Sequence, residues 1–413
     1  MNGYALFIAA ALCGEFLLDT AAHLLDLRSL KKPPPENMAG VYPPGEYARS
    51  QLYTAAKTRF GMLGDALALA GLFLFWYTGM FNALDLAVRS LGLGPVRGGV
   101  VYIGALAFIR SLLGLPFSLY KTFVLEARFG FNRTTFRVFC TDILKGLVLA
   151  LLLGVPLLAG ALALFGSAGD SAWVICWILF SCFMLIVQFA APRWIMPLFN
   201  KFIPLEEGDL RTALFSYALS VGFPIDEIFV MNGSKRSSKA NAFFTGFGRH
   251  KRIVLYDTLI AGHTTDELKA IVAHEIGHFK KHHILQGMIL GVLNAGLMLF
   301  LFSRLILLPG LYGAFAVDHP SAYTGFIFAG LFLTPLGTVI SLFLHSLSRA
   351  NEFAADRYAA VTTGDAQSLI AALKKLSAEN LTNLTPHPLM VRLHHSHPPV
   401  PERISSLERP SGT

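Results

Sequence analysis

Charge is scarce in this sequence. Only 15% of its 413 residues are Asp, Glu, Lys or Arg, while 54% are hydrophobic. A soluble domain carries roughly 25% charged residues, so a fully solvated globular fold is excluded. Cysteine is scarce too. The four present, Cys13, Cys140, Cys176 and Cys182, form no C-x-x-C pair. That excludes a disulfide framework and a cysteine-built zinc site and leaves packing roles. The N-terminal stretch lacks the basic leader of a signal peptide and carries Glu15 and Asp19, so it is expected to be kept as a first membrane span. Internal repeats and low-complexity tracts are missing, which argues against many transporter folds.

Long apolar runs are what the chain has. A membrane span needs roughly 20 apolar residues. Seven stretches qualify: 3–27, 62–88, 99–120, 143–166, 171–196, 284–309 and 322–347. The reading is an all-α polytopic membrane protein. It divides into 1–196 (five spans), 197–283, 284–347 (two spans) and 348–413. The net charge of +8 is distributed unevenly. The loop after span one holds Arg28, Lys31, Lys32, Arg49, Lys57 and Arg59, and the loop after span three holds Lys121, Arg128, Arg133 and Arg137. The segment after span five and the C-terminal tail are basic too, whereas the alternate loops are poor in charge. The positive-inside rule then puts 197–283 and 348–413 on the cytoplasmic side. The basic balance reflects this topology, and no nucleic-acid partner is expected.

Within the first span, Glu15, Asp19, His23 and Asp26 recur at three- and four-residue spacing and share one helical face. Polar residues are expensive inside a bilayer. This face is either an interhelical hydrogen-bond network or the lining of a wet interior, and both readings stay open.

The chemistry concentrates in AHEIGHFKKHH, residues 273–283. His274 and His278, at i and i+4 of a helix, can grip one zinc ion, and Glu275 is placed as general base toward its water. Thr264 or Thr265 should cap this helix. His282 lies ~12 Å along a continuous helix from His274, so His282 and His283 are not expected as ligands. The longer H-E-x-x-H-x-x-G-x-x-H pattern fails at Lys281 and Ile284. A third ligand must come from elsewhere. SRANEFAADRYAA, just after span seven, offers Glu352 as ligand and Asp356, one turn on, as partner of a ligand histidine. The residues alone also allow a solvated helix in which Arg349 and Arg357 pair these acids. Within 197–283, RIVLYDTLI reads as a strand.

At these residues the chain resembles the type I CAAX prenyl proteases, integral-membrane zinc metallopeptidases. The resemblance runs through QLYTAAKTRFGML (51–63), GSKRSSKANAFFTGFGRHKRIVLYDTLI (233–260), AHEIGHFKKHH, SRANEFAADRYA (348–359) and HSHPPVPERI (395–404). It implies a barrel of seven transmembrane helices around a large water-filled chamber, with a zinc-metalloprotease domain at its cytoplasmic end. It implies one Zn2+ held by His274, His278 and Glu352, with Glu275 as base and Asp356 as the acidic partner or proton donor. Asn241, Ala242 and Phe243 of NAFF would lie beside an extended substrate, where an edge strand pairs through its main chain. His397 would face the reacting carbonyl, and Arg403 would support that corner as a substrate contact. The implied reaction removes a C-terminal tripeptide from a prenylated CAAX protein, with a second upstream cut in some members.

Two departures stand out. The long hydrophilic insert of animal members is replaced by AGHTTDEL (261–268), which looks bacterial and points to an inner membrane. The sequence closes on PSGT rather than a C-a-a-X box. The rival enzyme reading is a membrane quality-control metalloprotease acting on misfolded proteins. A non-catalytic zinc scaffold would have no need of Glu275.

Overall fold

The computed structural model describes residues 2–43, 45–223, 225–247 and 250–409, without the side chains of 245–247, 250 and 251. The first helix, α1 (Gly3–Ser29), starts at Asn2, whose side chain accepts the N–H of Ala5. The second, α2, runs Glu46–Tyr77 and stops at Gly79, which takes a left-handed φ of 74° before α3 (Met80–Ser90) begins. The expected second span at 62–88 is therefore displaced. Its helix starts in the polar stretch before the apolar run and breaks inside it. Arg49, Lys57 and Arg59 ride on this helical extension rather than in a loop.

Three long helices follow: α4 (Gly94–Glu126), α5 (Phe136–Ser167) and α6 (Gly169–Phe199). Each widens into a π turn, at Lys121–Glu126, Ala150–Gly154 and Ala191–Ile195. Pro116, Pro156 and Pro192 lie in or near these turns, where a missing main-chain N–H disturbs the i to i−4 ladder.

Next comes the compact catalytic segment. It contains β1 (Phe202–Pro204), α7 (Asp209–Ser220), β2 (Glu227–Met231), β3 (Ala242–Phe247), β4 (His250–Tyr256), α8 (Asp257–Gly262) and α9 (Thr265–Lys280). The strand read at RIVLYDTLI ends at Tyr256, and its DTLI portion opens a helix. Asp257 has left the ladder there and accepts the N–H groups of Ser234 and Thr258. The four strands form one sheet in the order β1-β2-β4-β3, with β2 and β4 parallel and the outer pairs antiparallel. The strand at RIVLYDTLI and the NAFF strand implied by the resemblance correspond to β4 and β3, whereas β1 and β2 carried no such expectation. Ile228, Ile253 and Leu255 point from one face into a core shared with α7 and α9. The other face carries Phe229, Phe243 and Val254 against the end of α6.

The chain re-enters the apolar layer as α10 (His283–Leu305), turns through α11 (Pro309–Gly313), and returns as α12 (Ala322–Phe332) and α13 (Thr334–Thr363), bent by 57° at their junction. This bent pair is the seventh span. Helices α14 (Ala366–Glu379), α15 (Pro388–His394) and α16 (Val400–Glu408) complete the catalytic end.

The spans close into a ring. Helix α1 packs on α2, α2 on α3, α3 on α4, α4 on α5, α5 on α6, α6 on α10, α10 on α12, and α12 on α1. Two cores plug its ends. Trp76, Phe81, Tyr102, Phe315 and Phe328 belong to a buried cluster at one end, and the sheet and α9 form the other. Between them only 6% of the apolar stretch is buried in five of the spans. A solid bundle would bury one face of every helix. The ring therefore encloses an interior space, as the resemblance implied.

Candidate active site

Helix α9 is fixed before its metal-binding turn is reached. The Thr264 side chain accepts the N–H of Glu267, and Glu267 returns to the Thr264 N–H at 2.8 Å. This capping box leaves Thr264, not Thr265, as the cap. Lys375 of α14 pairs with Glu267 at 2.7 Å and ties the helix start to the C-terminal region. Leu268, Val272, Ala273 and Ile276 then bury one face.

His274 and His278 follow on the face turned to α13. Gly277 lets the two helices meet. A Cβ there would lie 3.1 Å from both the Cα and the carbonyl oxygen of Ala355 and from the Tyr358 ring. Gly277→Ala is expected to push α13 away, destabilise the fold by about 1–3 kcal/mol through overpacking, and lower bound zinc. Thermal unfolding and elemental analysis check this, and a variant with wild-type values on both would contradict it.

The close approach brings Glu352 to the histidines. His274 Nε2 lies 3.1 Å from His278 Nε2 and 3.4 Å from Glu352 Oε2, and His278 Nε2 lies 3.2 Å from Glu352 Oε1. Ligands about 2.0–2.1 Å from a tetrahedral zinc are separated by about 3.3 Å, so these residues fit the ion. Glu352 Oε2 is buried and makes no hydrogen bond, with Arg403 Nη1 and His274 Nε2 each 3.4 Å away, which leaves a lone pair for a cation. Among the described residues this is the group of three able to hold a metal.

The surrounding contacts fix the ligands. His274 Nδ1 donates to Asp356 Oδ1 at 2.8 Å, which leaves its Nε2 lone pair for the ion. Arg403 clasps Asp356 from behind, Nε to Oδ2 at 2.7 Å and Nη2 to Oδ1 at 2.6 Å. Both oxygens of Asp356 are occupied as acceptors, and the carboxylate is almost fully buried, which is the geometry of an orienting partner. Burial opposes charging of His274, but Asp356 and Glu352 outweigh it and lift the imidazole to about 9. Such a basic site holds either a proton or a metal firmly. Burial pushes the Glu275 carboxyl above its ordinary value, against the pull of His274 and His278, as suits a group that accepts and returns a proton.

The geometry distinguishes among the expected substrate contacts. Arg403 is buried behind the ligands and bonded to Asp356, so it cannot reach a substrate. In β3, the Asn241 carbonyl accepts the Tyr256 N–H, and Phe243 lies opposite Val254. Main-chain groups alternate sides along an antiparallel ladder. Asn241 and Phe243 therefore spend theirs on β4, while those of Ala242 and Phe244 face the outer edge, where the Ala242 N–H meets Asn241 Oδ1 at 2.9 Å. The Phe244 N–H reaches the Glu275 carboxylate. The edge presented beside the base is thus Ala242 and Phe244. This alternation depends on which residues of β3 pair with β4, so residue types alone could not assign it.

His283 is a partner that sequence reasoning missed. The helix does not continue past α9, because His282 takes a left-handed φ of 59°. That turn brings His283 Nδ1 to 3.0 Å from His278 Nδ1. His283 thus steadies a ligand histidine without joining the ligand set.

His397 is brought to the site by a clamp from the first span. Asp26, buried in α1, accepts the His387 N–H at 2.8 Å and Asn383 Nδ2 at 3.3 Å. Ser29 and Thr385 exchange hydrogen bonds, Asp19 pairs with His394 at 3.2 Å, and His23 stacks on the same ring. Arg349 of α13 donates to the Val391 and His395 carbonyls. The polar face of α1 is an interhelical network, joined by Glu15 to Thr338 at 2.7 Å. Beyond the clamp, His397 Nε2 lies 3.2 Å from Glu352 Oε1, with its side chain 63% exposed. Asp26→Ala is expected to lower kcat about tenfold to a hundredfold through misplacement of His397, with zinc content unchanged. Zinc loss in this variant would show that the clamp serves the metal instead.

Comparison with known proteins agrees with this site. Residues 23–201 match the CAAX prenyl protease N-terminal family, five membrane helices, and residues 204–411 match peptidase family M48. The chain belongs to peptidase family M48. CAAX prenyl protease 1 of Saccharomyces cerevisiae is 36% identical over 394 residues, covering 88% of this chain and 85% of its own. The CAAX prenyl protease 1 homolog of Arabidopsis thaliana is 35% identical, covering 95% of each. The crystal structure of S. mikatae Ste24p superimposes with a TM-score of 0.94 at 32% identity, covering 99% of this chain and all of that one. This family member is a multi-pass membrane metalloendopeptidase, and its zinc dependence matches the donor set above.

Proposed function

We propose that the chain hydrolyses a peptide bond near the C-terminus of prenylated CAAX-type proteins, with His274, His278 and Glu352 as metal ligands and Glu275 as general base. The observation that carries this reading is the open edge of β3 beside Glu275, at the rim of a ring of apolar helices. Such an edge accepts an extended peptide irrespective of its side chains. The apolar ring gives a lipid-bearing terminus a way in without crossing bulk water. The relatives named as CAAX prenyl proteases support the substrate class.

Bound zinc would supply a Lewis acid for the scissile carbonyl and lower the pKa of water. The chain's own residues do the rest. Ala242 and Phe244 align the peptide. Glu275 takes a proton from water and delivers it to the leaving amine. Asp356, locked by Arg403, keeps His274 in the tautomer that leaves Nε2 free. His397, open to the interior, donates toward the oxyanion. Charge alternation supports a catalytic end on the cytoplasmic face, and the direct 261–268 bridge supports a bacterial inner membrane as host.

Cleavage rates on a farnesylated CAAX peptide, its unprenylated twin and unfolded casein test the reading. The farnesylated peptide is expected to be cut at least about tenfold faster. Digestion of casein with an untouched farnesylated peptide would favour a quality-control protease.

A further inference from the structure

Two guanidinium groups share a cavity that no carboxylate lines. The cavity, about 60 Å³, lies between the outer face of the sheet and the end of α6. Phe202, Phe229 and Phe243 wall it from the sheet, and Arg193 and Arg252 reach it from opposite sides. Arg252 Nε is buried without a hydrogen-bond partner, and its guanidinium sits over the Phe229 ring at 5.0 Å. Its cross-strand neighbour is Glu227, but that carboxylate turns to Arg211, 3.6 Å away. Arg193 is exposed and Arg252 only partly so, but two like charges lining one cavity repel, and the buried Arg252 Nε without a partner is costly. An anion between them relieves both.

The position of the cavity identifies the anion. Helix α6 spans Gly169–Phe199. At 1.5 Å per residue it is ~46 Å long, well beyond the ~30 Å hydrocarbon core. Its last turns, which carry Arg193, therefore lie in the headgroup layer. Trp194 beside them is 67% exposed, as aromatic residues of the interface are. Arginine forks match phosphate geometry, and the phenylalanine walls offer apolar contact beside them.

We propose that Arg193 and Arg252 bind the phosphate of an anionic phospholipid, seated between the sheet and the end of α6. The site is separate from the metal centre and does not depend on the proposed substrate. Through Phe243 it braces the strand whose other edge faces Glu275.

Native mass spectrometry of the full chain, released from nanodiscs of mixed phosphatidylglycerol and phosphatidylcholine, tests this. The wild type is expected to retain phosphatidylglycerol over phosphatidylcholine. Arg193→Glu and Arg252→Gln should each lower that retention about tenfold. Arg193 is exposed, and Arg193→Glu would give Arg252 an internal carboxylate, so this variant keeps the fold while removing the lipid. Inorganic phosphate alone should not raise the melting temperature, whereas phosphatidylglycerol should. Equal retention of both lipids, unchanged retention in a folded Arg193→Glu, or the same stabilisation by free phosphate would each overturn the assignment.

Discussion

Glu275→Gln is expected to slow cleavage about a thousandfold while the protein keeps its zinc. The amide preserves the shape of the side chain and can still meet the Phe244 N–H, but it cannot take a proton. General acid–base groups contribute typically 10²–10⁴-fold. The ligands are untouched, since His274 is set by Asp356 and Glu352 rather than by Glu275. Single-turnover rates with elemental analysis on the same sample check both halves. A variant with normal rates removes Glu275 from the reaction, and one without zinc gives it a structural role.

Glu352→Ala is expected to lose both metal and activity. Two histidines one turn apart cannot hold zinc as three ligands do, and removal of ligand-supporting contacts alone costs 10–100-fold in affinity. The loss should therefore exceed ~100-fold. The carboxylate also faces Arg403 Nη1 at 3.4 Å and His397 Nε2 at 3.2 Å, so its removal takes one contact from Arg403, which Asp356 still holds, and the partner of the His397 ring. Metal binding stabilises the folded state by mass action. Chelation should lower the melting temperature of the wild type and leave that of Glu352→Ala unchanged. A chelator-sensitive Glu352→Ala would mean another residue completes the site.

Residues whose role follows from local spacing were legible in the sequence. His274, Glu275 and His278 lie within one and a half turns of one helix, and Glu352 and Asp356 are one turn apart on another. The seven apolar runs marked seven spans, and the charge loops marked which ends belong together. Strand register was not legible, even between neighbouring strands. The main-chain alternation of β3 depends on its pairing with β4, which puts Ala242 and Phe244, not Asn241 and Phe243, at the open edge. Hydropathy could not show that α2 begins at Glu46, because polar turns prolong helices beyond the apolar layer. Nor could a straight-helix argument foresee the left-handed turn at His282 that returns His283 to His278. Arg403 resembled a substrate contact from its place in the C-terminal motif, and only its buried fork on Asp356 shows which way it faces. The polar face of α1 had two open readings, and the partners on 383–394 decide it for a hydrogen-bond network.

Mass analysis of the products from a farnesylated CAAX peptide, incubated with the purified zinc-loaded chain, tests the central claim most directly. The account predicts an early product lacking the last three residues, formed by the wild type and absent with Glu275→Gln. An intact farnesylated peptide, from a preparation with one zinc per chain that degrades unfolded casein, would contradict it.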